Sequence, residues 1–234
     1  MKRVFKIVAR VWIVIGIACF VYMYIMFRAN LPSETLNYLE GNSAEDDDYI
    51  IIAPKLHNDT TLIFLPGALV DPMSYGQLGR KLAEYGYQTI IVKMPFRMAT
   101  KGYTKVSEID TDAYTVLAGH SQGAKMAAQF VYENPDAFDK LILIGTTHPR
   151  DIDISDRSVS VMKIYGTNDG IAEVTAIESN RDKLPATTKF VEIAGGNHSQ
   201  FGYYGFQFGD RAATIDREAQ HDLVVSSIRD HLLR

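Results

Sequence analysis

Seven short apolar runs, each bounded by turn-forming or helix-like stretches, constrain this chain more than any other feature. They are "YIIIA" (49–53), "TLIFL" (61–65), "QTIIVKM" (88–94), "YTVLA" (114–118), "KLILIG" (140–145), "SVMKIYG" (160–166) and "KFVEIAG" (189–195). Such runs, rich in β-branched residues, read as strands buried on both faces. The intervening patterns predict helices near 73–85, 122–133, 171–183 and 214–233, while 95–113 fits neither template. Alternation of this kind predicts an α/β fold: a mostly parallel central sheet of about seven strands, flanked by helices. A chain of 234 residues is long enough for one such domain, and no internal repeat or second shift in composition marks another.

The bulk chemistry excludes several classes. A net charge of −4 gives no basic patch for nucleic acid. Cys19 is the only cysteine, so a disulfide framework or thiolate metal site within one chain is ruled out. Six histidines are scattered without a ligand cluster such as H-E-x-x-H, so no metal site is expected.

The N-terminus stands apart. Lys2, Arg3, Lys6 and Arg10 precede an uncharged run from Val11 to Phe27. Extended slightly upstream, that run has the length needed to cross a bilayer, roughly 17 to 25 residues. "YIMFRAN" offers no convincing cleavage site, and the run has no polar face to suit a core helix. An uncleaved signal-anchor is therefore expected over residues 1–28, with the lipid bilayer as its partner. The basic residues in front, against Arg28 alone behind, place the N-terminus in the cytoplasm and the domain outside, on the cell membrane. Residues 29–48, with Pro32, Gly41 and the acidic run Glu45 to Asp48, read as a polar tether. The folded domain is expected over 49–234.

Within it, "TVLAGHSQGAKMAAQF" breaks over Gly119-His120-Ser121-Gln122-Gly123, between a strand and a helix. A serine on so sharp a turn has a strained backbone and an exposed hydroxyl at the carboxyl edge of the sheet. G-x-S-x-G alone arises easily by chance; the strand before it and the helix after it are what give it weight. A serine hydroxyl needs a base, and the base needs a carboxylate to hold it. In chain order the acid and then the histidine should follow, on loops after later strands. Asp169 in "MKIYGTNDGIAE" and His198 in "VEIAGGNHSQFG" stand in that order. Either one alone has an ordinary reading, a helix cap or a loop histidine; their joint placement is harder to reach by accident. An oxyanion hole needs two N–H donors: Gln122, after the nucleophile, and Ala68 in "IFLPGALVDPMSY", since Pro66 cannot donate. His120 reads as pocket wall or packing, and Tyr75 and Asp71 as residues that shape the oxyanion loop.

With "FLPGALVD", "GHSQG", "GTNDG" and "GGNHSQFG" on the page, the chain resembles the α/β-hydrolase superfamily over about residues 49 to 234. "GALVDP" with "GGNHSQFGYYGFQFGD" is similar to a compact, often membrane-tethered bacterial branch grouped with dienelactone-hydrolase-like proteins. Those enzymes usually carry a cysteine nucleophile where this chain has Ser121, so the resemblance implies hydrolase chemistry without a settled substrate. It implies acyl transfer through Ser121, His198 and Asp169 and an acyl-enzyme, in the manner of a carboxylesterase, with no metal or organic cofactor required. Two alternatives stay open: transfer of the acyl group to a cell-envelope acceptor, and a catalytically silent binding protein of the same fold.

Only "TTHPRDIDISDR" separates the fifth run from the sixth, too short for a helical lid. The site should be open and suit a small-molecule or polymer-end acyl substrate. Met94 and Phe96 could line it, as could Tyr203 and Tyr204 of the aromatic loop, which reads equally well as a loop pinned by its own rings.

Overall fold

A computed structural model describes residues 2–111 and 113–233. The seven runs form strands β2 (Tyr49–Ile52), β3 (Thr60–Leu65), β4 (Gln88–Val92), β5 (Tyr114–His120), β6 (Lys140–Ile144), β7 (Ser160–Gly166) and β8 (Lys189–Ile193). An eighth, β1 (Ser43–Glu45), joins them in one sheet of order β1-β2-β4-β3-β5-β6-β7-β8. Strands β4, β3, β5, β6, β7 and β8 run parallel, while β1 and β2 are antiparallel additions at one edge.

Each central strand feeds two cores, because successive side chains point to opposite faces. Leu62 and Phe64 of β3 join Val116, Ala118, Ile142 and Ile144 on one face. Ile63 and Leu65 join Leu117, Leu141 and Leu143 on the other. The first face is covered by α3 (Gly76–Ala83) and α6 (Arg217–Leu232), through Leu78, Leu82, Val224 and Ile228. The second is covered by α4 (Gln122–Glu133), through Ala124, Ala127, Ala128 and Val131. This burial on both sides explains why the runs carry little polar alternation.

Two expectations were too simple. Segment 171–183 holds only a short α5 (Val174–Glu178) and a 3₁₀ turn at Arg181–Lys183. The ambiguous 95–113 stretch contains three 3₁₀ turns, at Pro95–Arg97, Ala99–Lys101 and Tyr103–Glu108. No helix is inserted between β6 and β7 among the described residues, as the short connection implied.

The N-terminal run is part of α1 (Lys2–Met26), of which Val4–Met26 is long and apolar enough to cross a membrane. Those 23 residues extend about 34 Å, against a hydrocarbon core of about 30 Å. The helix after it, α2 (Ser33–Asn42), differs from the loose tether expected over 29–48. Thr35 and Leu39, one turn apart, are both buried. The Thr35 hydroxyl donates to Gln77 Oε1 of α3, and Glu34 meets Arg80 at 3.0 Å. Four-residue spacing of Thr35 and Leu39 puts both on one helix face, a signal that the surrounding polar residues obscure. Together with β1, this makes the segment part of the folded body.

Candidate active site

Ser121 stands between β5 and α4 with φ 54° and ψ −117°. That backbone region costs a non-glycine residue about 1–3 kcal/mol, and the surroundings must impose it. They do so by close approach. A Cβ at Gly123 would lie 1.9 Å from the Leu65 carbonyl oxygen, and one at Gly119 would lie 2.6 Å from the Gly123 backbone. Helix α4 can therefore begin directly against β3 and β5 only with glycine at both positions. The Ser121 N–H donates to Ile144 O at 2.9 Å, tying the turn to the neighbouring strand. Ser121 is half-buried, at the wall of a cavity of about 510 Å³.

The cavity also meets Gln122, Thr146, His148, Ile171 and the cationic side chains of Lys125 and Arg150. His148 is pushed down to about 4, chiefly by burial and then by the Lys125 and Arg150 charges, so it is neutral at pH 7. Met94, Tyr203 and Tyr204 do not line this cavity. Met94 is buried, and Phe96 is exposed on another groove. Tyr203 and Tyr204 are buried: Tyr203 donates to Glu218 of α6, and Tyr204 packs edge-on against Phe27 with ring centroids 5.7 Å apart. Of the two readings open for the aromatic loop, the structure shows it pinned by these two rings, so Tyr203 and Tyr204 are not pocket wall.

The structure brings Asp169 and His198 together. Both are fully buried, and His198 Nδ1 lies 2.9 Å from Asp169 Oδ2. The other oxygen of Asp169 accepts from the amides of Ile171 at 2.8 Å and Ala172 at 2.6 Å, which fixes the carboxylate plane. With Nδ1–H donated to the acid, His198 Nε2 carries the free lone pair. That nitrogen is buried and has no hydrogen-bond partner among the described residues. The Ser121 hydroxyl thus makes no hydrogen bond to it in this structure, as is common before a ligand tightens such contacts.

Loop 66–70 leaves one amide unused. Gly67 N–H donates to the Tyr75 hydroxyl at 3.0 Å, Leu69 N–H to Arg97 O at 2.7 Å and Val70 N–H to Gly67 O at 3.3 Å. Ala68 N–H has no partner among the described residues. Gln122 is the first residue of α4, where an amide has no partner within the helix.

Two supporting residues matter more than their sequence context indicated. His120 is fully buried, its Nδ1 lies 2.9 Å from the Tyr75 hydroxyl, and its ring packs against that of His198 with centroids 4.5 Å apart and planes tilted by 44°. Burial, followed by proximity to His198 and His221, holds its pKa well below the usual value and keeps it neutral. Burial likewise raises the Tyr75 pKa, so its hydroxyl stays protonated and can donate to His120 while accepting from Gly67. Asp210, at the end of the aromatic loop, accepts from Gly170 N at 3.0 Å, His198 N at 3.3 Å and Ser199 N at 2.8 Å. It therefore couples the acid loop to the histidine loop. The only sequence signal for Asp210 was an acid closing an otherwise aromatic segment.

Among the described residues, no group of three or more His, Cys, Asp or Glu side chains could hold a metal ion.

A mostly parallel sheet with a strained serine between β5 and α4, and a buried acid–histidine pair beyond later strands, defines the α/β-hydrolase class of fold. The family model described as "Alpha/beta hydrolase family" matches residues 61–222, and the chain belongs to that family. Solved structures agree on the fold. Est1E from Butyrivibrio proteoclasticus superposes with a TM-score of 0.57 at 14% identity, covering 82% of this chain and 98% of its own. A predicted CIB-like hydrolase from Thermoplasma acidophilum gives 0.59 at 12% identity, covering 81% and 100%. Alpha/beta hydrolase domain-containing protein 10 from mouse gives 0.60 at 11% identity, covering 82% and 97%. Est1E has also been solved with ferulic acid bound. A search of curated proteins found no match.

Proposed function

We propose that the protein is a membrane-anchored serine hydrolase of carboxylesterase type, with Ser121 as nucleophile, His198 as base and Asp169 as its support. The observation that carries this reading is the buried, unpaired Nε2 of His198, whose ring packs against His120, the residue preceding Ser121. A buried acceptor without a partner is costly, and a rotation of the Ser121 hydroxyl toward it would satisfy it. His198 then takes the serine proton as Oγ attacks the acyl carbonyl. The free amides of Ala68 and Gln122 bind the developing oxyanion. His198 returns the proton to the departing alcohol, and water repeats the sequence to release the acid and restore Ser121. No step draws on a metal or an organic cofactor. Est1E, solved with ferulic acid, shares the fold and is compatible with an acyl substrate here.

Anchoring is supported by α1, and the basic residues before it favour the N-terminus inside and the domain outside. Protease added to spheroplasts should then cut the domain while leaving cytoplasmic markers intact; protection of the domain would reverse the orientation. Product analysis of p-nitrophenyl acetate turnover, with and without an added acceptor alcohol, separates hydrolysis from acyl transfer. Free acetate as the dominant product in both supports the hydrolase. Ester formation that outcompetes water would favour transfer, and no turnover of any activated ester would favour the silent binding protein.

A further inference from the structure

Beside the oxyanion loop lies a second cavity, about 240 Å³ in volume, whose walls are shared between α1 and the domain. Phe20, Met23 and Tyr24 form one side, and Leu69, Phe96 and Arg97 form the other. Its position on the domain is held by backbone bonds: Gly205 N–H to Met26 O at 2.6 Å, Asp71 N–H to Phe27 O at 2.9 Å, and Asn30 N–H to Tyr203 O at 2.8 Å. Phe27, one residue past the helix, is buried in the domain core. The helix therefore enters the domain without slack, and its last two turns reach the residues that follow Ala68.

We infer that this groove receives the acyl chain of a bilayer-resident ester and presents its carbonyl to Ser121 from the membrane side. The inference rests on the reading of Ser121 as an acylated nucleophile and of α1 as an uncleaved anchor. Half of the groove belongs to the spanning helix, so lipid chains are the medium that already surrounds it. Its volume falls below the roughly 300–1,000 Å³ of sites that enclose a whole small molecule, which suits one chain better than an entire ligand.

Local backbone strain supports the same assignment. Leu69, Phe96 and Arg97 all have positive φ, at 63°, 55° and 54°, and Phe96 is 87% exposed. Three such residues on one rim, one presenting an exposed aromatic ring, are what a contact surface for a ligand would require. Arg97 is anchored to Asp71 at 2.8 Å with its guanidinium over the Tyr24 ring, which closes the rim on the polar side.

Strand order puts the groove and Ser121 at neighbouring strand ends along one edge of the sheet. The groove is built by the loops after β4 and β3, the polar cavity by residues after β5, β6 and β7, and Ser121 stands at the end of β5. An amphiphile can thus lay its chain in the apolar groove and its polar part near Lys125 and Arg150. Attack by Oγ forms the serine ester and releases the polar alcohol, which takes its proton from His198. Water then yields the free fatty acid. The short connection after β6 predicted a small or polymer-end substrate; the groove, which uses α1 as its missing wall, points to a lipid ester instead.

The full-length protein in lipid nanodiscs tests this with ethyl and dodecyl fluorophosphonates, by the second-order rate of Ser121 modification. The dodecyl probe should react roughly tenfold faster or more, since a few buried methylenes suffice for that ratio. Met23→Trp, which fills the groove, should lower the dodecyl-to-ethyl ratio by about the same factor; Phe20→Trp does so from one turn away and serves if the first variant does not fold. Unchanged ratios in folded variants overturn the groove while leaving the hydrolase reading intact, because partitioning of the probe into lipid is common to all variants. Absence of Ser121 modification by both probes overturns the serine reading and this inference with it.

Discussion

The rings of His120 and His198 pack against each other, centroids 4.5 Å apart and planes tilted by 44°, and each has its Nδ1 tied to a different partner: Tyr75 for His120, Asp169 for His198. The first pair holds the proposed oxyanion loop through Gly67, and the second sets the tautomer of the proposed base. Tyr75→Phe keeps the ring but removes the acceptor for Gly67 N–H and leaves His120 Nδ1 unpaired. Stability should fall by about 1–3 kcal/mol, read by urea unfolding in detergent. The rate of ester turnover should fall as well, because the Ala68 amide loses its fixed direction.

Asp169→Asn should behave differently. Its Oδ1 can still accept from Ile171 and Ala172, so unfolding should change little. The amide offers a donor to His198 Nδ1, however, and that stabilises the wrong tautomer. In other Ser-His-Asp enzymes this substitution costs about 10⁴ in kcat, and a loss of similar order is expected here. Steady-state kinetics beside circular dichroism would separate the two effects.

Asp210→Ala removes the acceptor shared by Gly170, His198 and Ser199. As a positioning residue it should act on kcat more than on KM, since displacement of a catalytic group by about 1 Å can cost a hundredfold. Asp210→Asn, which keeps one acceptor oxygen, should recover part of the loss; equal loss in both variants would argue for a bulk structural role.

Acid should destabilise the fold through its buried neutral histidines. His221 is pushed down to about 3, first by burial and then by the nearby Arg217 charge, with Glu218 opposing. The unfolded chain protonates this residue near pH 6.5, so between about 6.5 and 3 the unfolded state holds the extra proton. Its stabilising contribution is complete above pH 6.5 and is lost as pH falls, by about 1.4 kcal/mol per pH unit. His120 shifts in the same direction. His221→Phe should make the dependence shallower between pH 4.5 and 7 (approximately), measured by unfolding at each pH.

The strands were legible because two-sided burial leaves β-branched runs without polar interruption, and seven of eight were readable on that basis. The eighth, β1, is three exposed residues, Ser43 to Glu45, and gains its place by pairing with β2 rather than by hydrophobicity. Helix α2 was hidden for a related reason: two buried positions, Thr35 and Leu39, stand among polar residues that look like a linker. At the site, residue type and chain order pointed to Asp169 and His198, which lie on neighbouring loops and share a hydrogen bond. Asp210 and the pairing of Tyr75 with His120 depend on contacts 11 to 45 residues apart in sequence, which no local pattern encodes. The aromatic loop was open to two readings because nothing local says which way its rings turn; Tyr203 and Tyr204 turn inward onto α6 and Phe27.

The most direct test of the central claim is the site and rate of modification by a fluorophosphonate, read by intact mass and peptide mapping of the full-length protein. One adduct on Ser121 is predicted, absent in Ser121→Ala and slowed by at least about a hundredfold in His198→Ala. An unmodified wild-type protein, an adduct that persists in Ser121→Ala, or an unchanged rate in His198→Ala would contradict the account.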